Sequence, residues 1–231
     1  MSDPHRGQPV SRAGAPLADA AGAVVLLHGR GATAPSILGL APEVGADGWA
    51  FLAPQAAGGA WYPNSFLAPL SANEPWLSSA IRAVLEAVAQ AEAAGVPSGR
   101  VVLGGFSQGA CLALETAARH PGRWGGAFAL SGGLIGTGPG PSGAPPLRGM
   151  GGQYADKAFD YDGDLAGAPV FVGGSDVDPH IPLERMERTA EVFRQRGAAV
   201  DLRVYPGLGH TVTADELAAV RALLAGVVAG S

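Results

Sequence analysis

The stretch GGFSQGA (104–110) sets Ser107 between Gly105 and Gly109, directly after an apolar run. A serine hydroxyl is a poor nucleophile at neutral pH until a base takes its proton, and that base is itself oriented by a carboxylate. G-x-S-x-G carries this chemistry when the serine stands where a strand turns sharply into a helix. The flanking glycines then leave room for a strained turn, and the helix N-terminus brings N–H groups and positive potential to the hydroxyl. Five histidines are candidates for the base. His5 falls in a loose terminal segment, and His120 ends the helix after the serine. His28, at a strand end in LHGRGA, reads as a structural hydrogen-bonder, and His180 follows Asp178 by two residues. His210 stands in YPGLGHTVTADE, between the last apolar run and the last helical pattern, where Thr213 and Glu216 form a capping box. It is the best-placed base. For the acid, GGSDVDPHIP offers Asp178, with Asp176 as competitor or as a turn-capping carboxylate. The charge that develops on a reacting carbonyl needs two N–H donors. The backbone of Gln108 supplies one, and the glycine-flanked Arg30 in HGRGA supplies the other.

These residues need a scaffold that brings loop ends together. Six short, unalternating apolar runs, at 23–29, 49–55, 100–107, 126–133, 169–176 and 200–207, fit strands covered on both faces. Between them lie helical stripes: Leu77, Ile81, Val84, Leu85 and Val88 behind Pro75; Leu183, Met186, Ala190 and Phe193; and Leu217, Val220, Leu224 and Val227. Alternation of this kind predicts an α/β fold with a mostly parallel, doubly wound sheet flanked by helices. Sites in such sheets lie at the carboxyl ends of the strands, where Ser107, Asp178 and His210 all fall. The chain reads as one domain over 1–231, with a loose segment at 1–20 and a long loop or insertion at 136–169. The order serine, acid, histidine is that of α/β-hydrolases.

With LLHGRGA, FLAPQAAGGAWYPNSF, GFSQGACLAL, SGGLIG, GSDVDPHIP and YPGLGHTVTADE in place, the chain resembles the phospholipase/carboxylesterase family of α/β-hydrolases, relatives of acyl-protein thioesterases. The resemblance runs from about residue 20 to the C-terminus, apart from the loop at 136–165. It implies a Ser107–Asp178–His210 triad, favours Asp178 over Asp176, and implies Arg30 and Gln108 as oxyanion donors. It also implies hydrolysis of carboxylic esters, thioesters or lysophospholipids with no metal and no cofactor. The arginine at position 30 departs from the apolar residue that thioesterases carry there, and its side chain is read either as an anion contact or as a surface salt bridge. Trp61 and Tyr62 on one side, and Leu134 and Ile135 on the other, are the candidate pocket walls.

Bulk properties narrow the function classes. A formal charge of −5 without a basic cluster argues against nucleic-acid or anionic-membrane partners. Cys111 is alone, and no apolar stretch reads as a signal or a membrane span, so a cytoplasmic protein is expected. DYDGDLAG (160–167) lacks the spacing of a calcium loop, and Asp176, Asp178 and His180 serve a triad better than a metal. The resulting expectation is a serine hydrolase of small-molecule esters. Lysophospholipase or acyl-thioesterase activity is the enzymatic alternative, and a non-catalytic ligand-binding relative of the fold is the alternative from another class. A homodimer is left open.

Overall fold

A computed structural model describes residues 2–122, 124–149 and 151–229. The chain opens with strand β1 (Val10–Gly14) and runs through β2 (Gly22–Leu27), two short helices α1 (Ala34–Ile37) and α2 (Leu40–Val44), and β3 (Trp49–Pro54). Helices α3 (Leu70–Asn73) and α4 (Trp76–Ala93) lead to β4 (Val101–Phe106), α5 (Gln108–Arg119) and β5 (Gly126–Leu130). Four very short strands follow: β6 (Gly138–Pro139), β7 (Leu147–Gly149), β8 (Gly152–Tyr154) and β9 (Lys157–Ala158). Then come β10 (Pro169–Gly174), α6 (Leu183–Gln195), β11 (Ala199–Val204) and α7 (Ala214–Ala229).

The seven longer strands form one sheet in the order β1-β3-β2-β4-β5-β10-β11. All neighbours pair in parallel except β1, which runs antiparallel to β3. Every residue of β2 and β3 is buried, as expected of strands covered on both faces. Alternation within each strand divides the core. Val25, Leu27 and Leu103 pack with the inner faces of α4, α5 and α6, whereas Val24, Leu26 and Val102 pack with α1, α2 and α7. The six apolar runs and the three helical stripes of the sequence all coincide with elements of this sheet and its cover.

One expectation changes. Residues 2–20 are not loose: β1 pairs with β3 from Val10↔Pro54 to Gly14↔Ala50, and His5 is buried. The strand is short and half-polar because it lies at the sheet edge, which weakens the apolar signal. Within 136–169, read as a long loop or insertion, the described strands lie outside the seven-stranded sheet. β6 pairs with β9, and β7 with β8, in two small antiparallel ladders. These ladders are two or three residues long, below the length at which alternation is readable.

Candidate active site

The turn after β4 explains its sequence. Ser107 adopts φ 56°, ψ −120°, a region an L-residue occupies only at a cost of roughly 1–3 kcal/mol. The surrounding structure holds it there: its N–H donates to the Leu130 carbonyl at 3.0 Å, and its carbonyl accepts from Cys111 N–H at 3.0 Å. Gly105 and Gly109 do not carry the strain. Their role is close approach, since a Cβ on Gly109 would lie 2.2 Å from the Leu27 carbonyl oxygen and one on Gly105 would lie 2.5 Å from the same atom. The glycines let α5 start against the backbone of β2, so the serine stands above the sheet at a helix N-terminus.

His210 Nε2 is 2.8 Å from Ser107 Oγ, and His210 Nδ1 is 2.6 Å from Asp178 Oδ2. The capping box holds the loop: Thr213 Oγ1 accepts from Glu216 N–H at 3.1 Å, and Glu216 Oε2 accepts from Thr213 N–H at 2.7 Å. The His210 ring packs against Phe106 and His180, with centroids 4.8 Å away in each case. The Asp178 side chain is fully covered, and its other oxygen accepts from the N–H groups of His180 (2.8 Å) and Ile181 (3.1 Å). Burial pushes its carboxyl up, but the bond from His210 and the two backbone donors outweigh it and hold the group below the ordinary aspartate value. Asp176 is exposed and accepts from Gly207 N–H at 2.8 Å, so it caps the turn rather than facing His210.

Across from the serine, the loop after β2 is held by His28. Ala56 N–H donates to its Nε2 at 3.1 Å, so the ring proton sits on Nδ1, which lies 2.8 Å from the Gly29 carbonyl. That carbonyl and the N–H of Arg30 belong to one peptide plane and point opposite ways. Anchoring the carbonyl therefore aims the N–H away from His28. Among the described residues, neither Arg30 N–H nor Gln108 N–H donates to a backbone carbonyl. Among the described residues the Arg30 guanidinium pairs with no carboxylate: Nη1 donates to the Pro63 carbonyl at 2.9 Å and Nη2 to that of Asn64 at 2.7 Å. Burial lowers its pKa.

A cleft of about 350 Å³ opens onto Ser107, Gln108 and His210, and Arg30 and Tyr62 border it. Phe66, Phe106 and Ile181 give it apolar walls, together with the Cys111 thiol. Burial pushes that thiol up to about 12, so it is neutral and carries no thiolate character. Of the residues read as pocket walls, only Tyr62 borders the cleft. Trp61 turns into the core, where its indole N–H finds the His28 carbonyl at 2.8 Å. Leu134 and Ile135 are buried behind the cleft, held by backbone bonds to Thr189 Oγ1 and Glu115 Oε2. Their apolar character belongs to the core beneath α5 and α6. The walls that were missed had local signals: Phe106 precedes the serine, Ile181 closes the acid turn, and Phe66 ends WYPNSF. Phe66 is fixed from below by Lys157 Nζ, which donates to its carbonyl at 2.7 Å.

Among the described residues, no three His, Cys, Asp or Glu side chains converge as metal ligands, and no helix is long and apolar enough to cross a membrane. A parallel sheet with a serine on a strained strand-to-helix turn, and an acid and a histidine on later strand ends, defines an α/β-hydrolase fold. Residues 12–143 match the model of the Phospholipase/Carboxylesterase family, and the chain belongs to that family. The structure of a phospholipase/carboxylesterase from Dyadobacter fermentans is 37% identical, covers 95% of this chain and 97% of its own, and superposes with a TM-score of 0.83. The Bacillus cereus carboxylesterase shares the fold at 19% identity and a TM-score of 0.71, over 96% of this chain and 95% of its own. Acyl-protein thioesterase 1 of Gibberella zeae is 31% identical over 130 residues, which make up 56% of this chain but only about half (49%) of the relative.

Proposed function

We propose that the chain is a serine hydrolase that cleaves small carboxylic esters through an acyl-enzyme on Ser107, with no cofactor. The carrying observation is the continuous hydrogen-bonded line from Ser107 Oγ through His210 to Asp178. In this reading Ser107 Oγ attacks the ester carbonyl as its proton passes to His210 Nε2. The tetrahedral oxyanion is held by the N–H groups of Arg30 and Gln108, aimed where charge develops. Collapse breaks the bond to the alcohol oxygen, which leaves with the proton from His210. Water then gives a proton to His210, attacks the acyl carbon and releases the acid, and Ser107 recovers its proton. Asp178 keeps His210 in the tautomer that accepts at Nε2 and stabilises the cation that forms.

A cleft of about 350 Å³ lies at the small end of ligand sites, roughly 300–1,000 Å³, which favours short acyl groups. Acyl-thioester cleavage is the second reading, supported by the name of the Gibberella relative. A series of oxygen esters and thioesters of rising chain length separates the two. The nucleophile is tested with a fluorophosphonate probe and Ser107→Ala. Wild type is labelled and hydrolyses ester; the variant folds, takes no label and loses roughly 10⁴–10⁶ in kcat. Wild-type turnover by Ser107→Ala overturns the reading.

A further inference from the structure

The chemistry above makes no use of the N-terminal segment, yet that segment ends against the loop that faces the reacting atoms. His5 is only 2% exposed, and its polar groups are engaged. Its N–H donates to Ser79 Oγ at 2.9 Å, and its Nδ1 accepts from Ala57 N–H at 3.0 Å. With Nδ1 accepting, the ring proton sits on Nε2, which donates to the Trp61 carbonyl at 2.9 Å. The ring also packs against Trp61 and Trp76, at centroid distances of 5.5 and 5.4 Å. Asp3 fastens the segment to α4 by accepting from Ser79 Oγ and pairing with Arg82 at 3.1 Å. The charged and titratable groups facing His5 are Asp3, Arg82 and His28.

Trp61 passes this clamp to both oxyanion donors. Its N–H donates to Gln108 Oε1 at 2.9 Å, and Gln108 Nε2 returns a bond to the Tyr62 carbonyl at 2.8 Å. Its indole N–H donates to the His28 carbonyl, and its ring lies 5.0 Å from that of His28, which anchors the Gly29–Arg30 peptide. Two residues before Trp61, the Gly59 carbonyl accepts from Gly31 N–H at 2.7 Å. We propose that His5 is a positioning residue for ester hydrolysis: the N-terminal strap braces the 57–62 loop from behind and thereby sets the backbone donors of Arg30 and Gln108.

This inference rests on the reading of Ser107 as nucleophile. Donors stabilise a transition state only when held close to where the oxyanion forms, and a misplacement of about 1 Å costs on the order of 10² in rate. A purely architectural His5 would lower stability and the number of intact sites but leave turnover per intact site unchanged. The variants are His5→Phe, which keeps a ring and removes both ring hydrogen bonds, and His5→Gln, which restores a donor to the Trp61 carbonyl. Ser79→Ala loosens the strap from α4 without altering the ring. Intact sites are counted by end-point titration with a fluorophosphonate. Per titrated site, kcat and KM are then measured on 4-nitrophenyl butyrate, with Ki for a trifluoromethyl ketone that forms an oxyanion on Ser107.

His5→Phe is expected to lose roughly ten- to a hundredfold in kcat, with KM almost unchanged and Ki raised by the same factor as kcat falls. His5→Gln should regain most of the loss, and Ser79→Ala should show the same kcat-selective pattern at smaller size. Wild-type kcat per titrated site in His5→Phe overturns the proposal. So does wild-type kcat in Ser79→Ala where His5→Phe is insoluble. If the wild-type protein takes no label at all, it is the Ser107 reading that fails.

Discussion

Replacing Asp178 by asparagine changes one atom, and the surroundings dictate which way the new amide must lie. Oδ1 of Asp178 accepts from two backbone donors, His180 N–H and Ile181 N–H, while Oδ2 faces His210 Nδ1. Turning the amide nitrogen toward the backbone pair would set N–H against N–H and leave both donors unpaired, at about 1–3 kcal/mol each. The nitrogen therefore faces His210 and presents hydrogens to Nδ1. The imidazole answers by moving its proton to Nε2, which then donates toward Ser107 Oγ and cannot take the serine proton. The active-site geometry survives while the base is lost, and a fall of roughly 10⁴ in kcat is expected, as in other triads with a mis-set tautomer. That corresponds to about 5–6 kcal/mol of barrier. The control is Asp176→Asn, two residues away, exposed and bonded to Gly207 N–H and the neighbouring Ser175 hydroxyl. Initial rates on a 4-nitrophenyl ester decide between them. Asp178→Asn within about tenfold of wild type, or an equal loss in Asp176→Asn, refutes the assignment of the acid.

Gly109→Ala tests the close approach of α5 to β2. Its Cβ would meet the Leu27 carbonyl oxygen at 2.2 Å and that of His28 at 2.6 Å, both backbone atoms, so a loss of roughly 3 kcal/mol or more is expected. An unchanged melting temperature would contradict it. Lys157, the only lysine, is buried, and burial lowers its pKa from 10.5 to about 8. Between those values the unfolded chain binds the extra proton, so folding stability rises with pH across the window and is lost again as pH falls through about 8. Relative to Lys157→Met, the wild type should gain up to roughly 3 kcal/mol between pH 8 and 10.5. Chemical denaturation of both proteins at the two ends checks this, and a constant difference refutes it.

The sequence made the hydrogen-bonded line of Ser107, His210 and Asp178 legible because local chemistry marks each member. Ser107 sits in a pattern whose glycines answer to backbone approach, Asp178 in a turn that closes on its own carboxylate, and His210 before a capping box. Five of the parallel strands were legible because burial on both faces removes alternation, whereas β11, at the sheet edge, has no buried residue and alternates. What the sequence hid is set by partners far along the chain. His5 reads as part of a loose terminus until Trp61, 56 residues on, is seen to accept its hydrogen bond. Trp61 reads as a pocket wall until the His28 carbonyl claims its indole N–H. Phe66 is held by a lysine 91 residues later. Leu134 and Ile135 look like any apolar pair after a strand, and only the packing of α6 over them shows that they face the core.

The same distinction bears on why an arginine stands at position 30. A charged side chain bordering the cleft suggests a contact to substrate, but its two terminal nitrogens are already given to the Pro63 and Asn64 carbonyls. The loop that carries those carbonyls contains Gly58 and Gly59, both at positive φ, and has little regular structure to stiffen it. Under the proposed mechanism such a loop, left free, could not help hold a donor to within a few tenths of an ångström, which oxyanion stabilisation needs. Three polar side chains converge on it from different directions: Gln108 from the turn after β4, His5 from the N-terminal strap and Arg30 from the turn after β2. Each uses main-chain groups of the loop, which ties placement to backbone geometry rather than to any one side chain there. Arginine suits this task because its planar fork spans two successive carbonyls at once. A leucine at position 30 would keep the backbone donor and lose the brace.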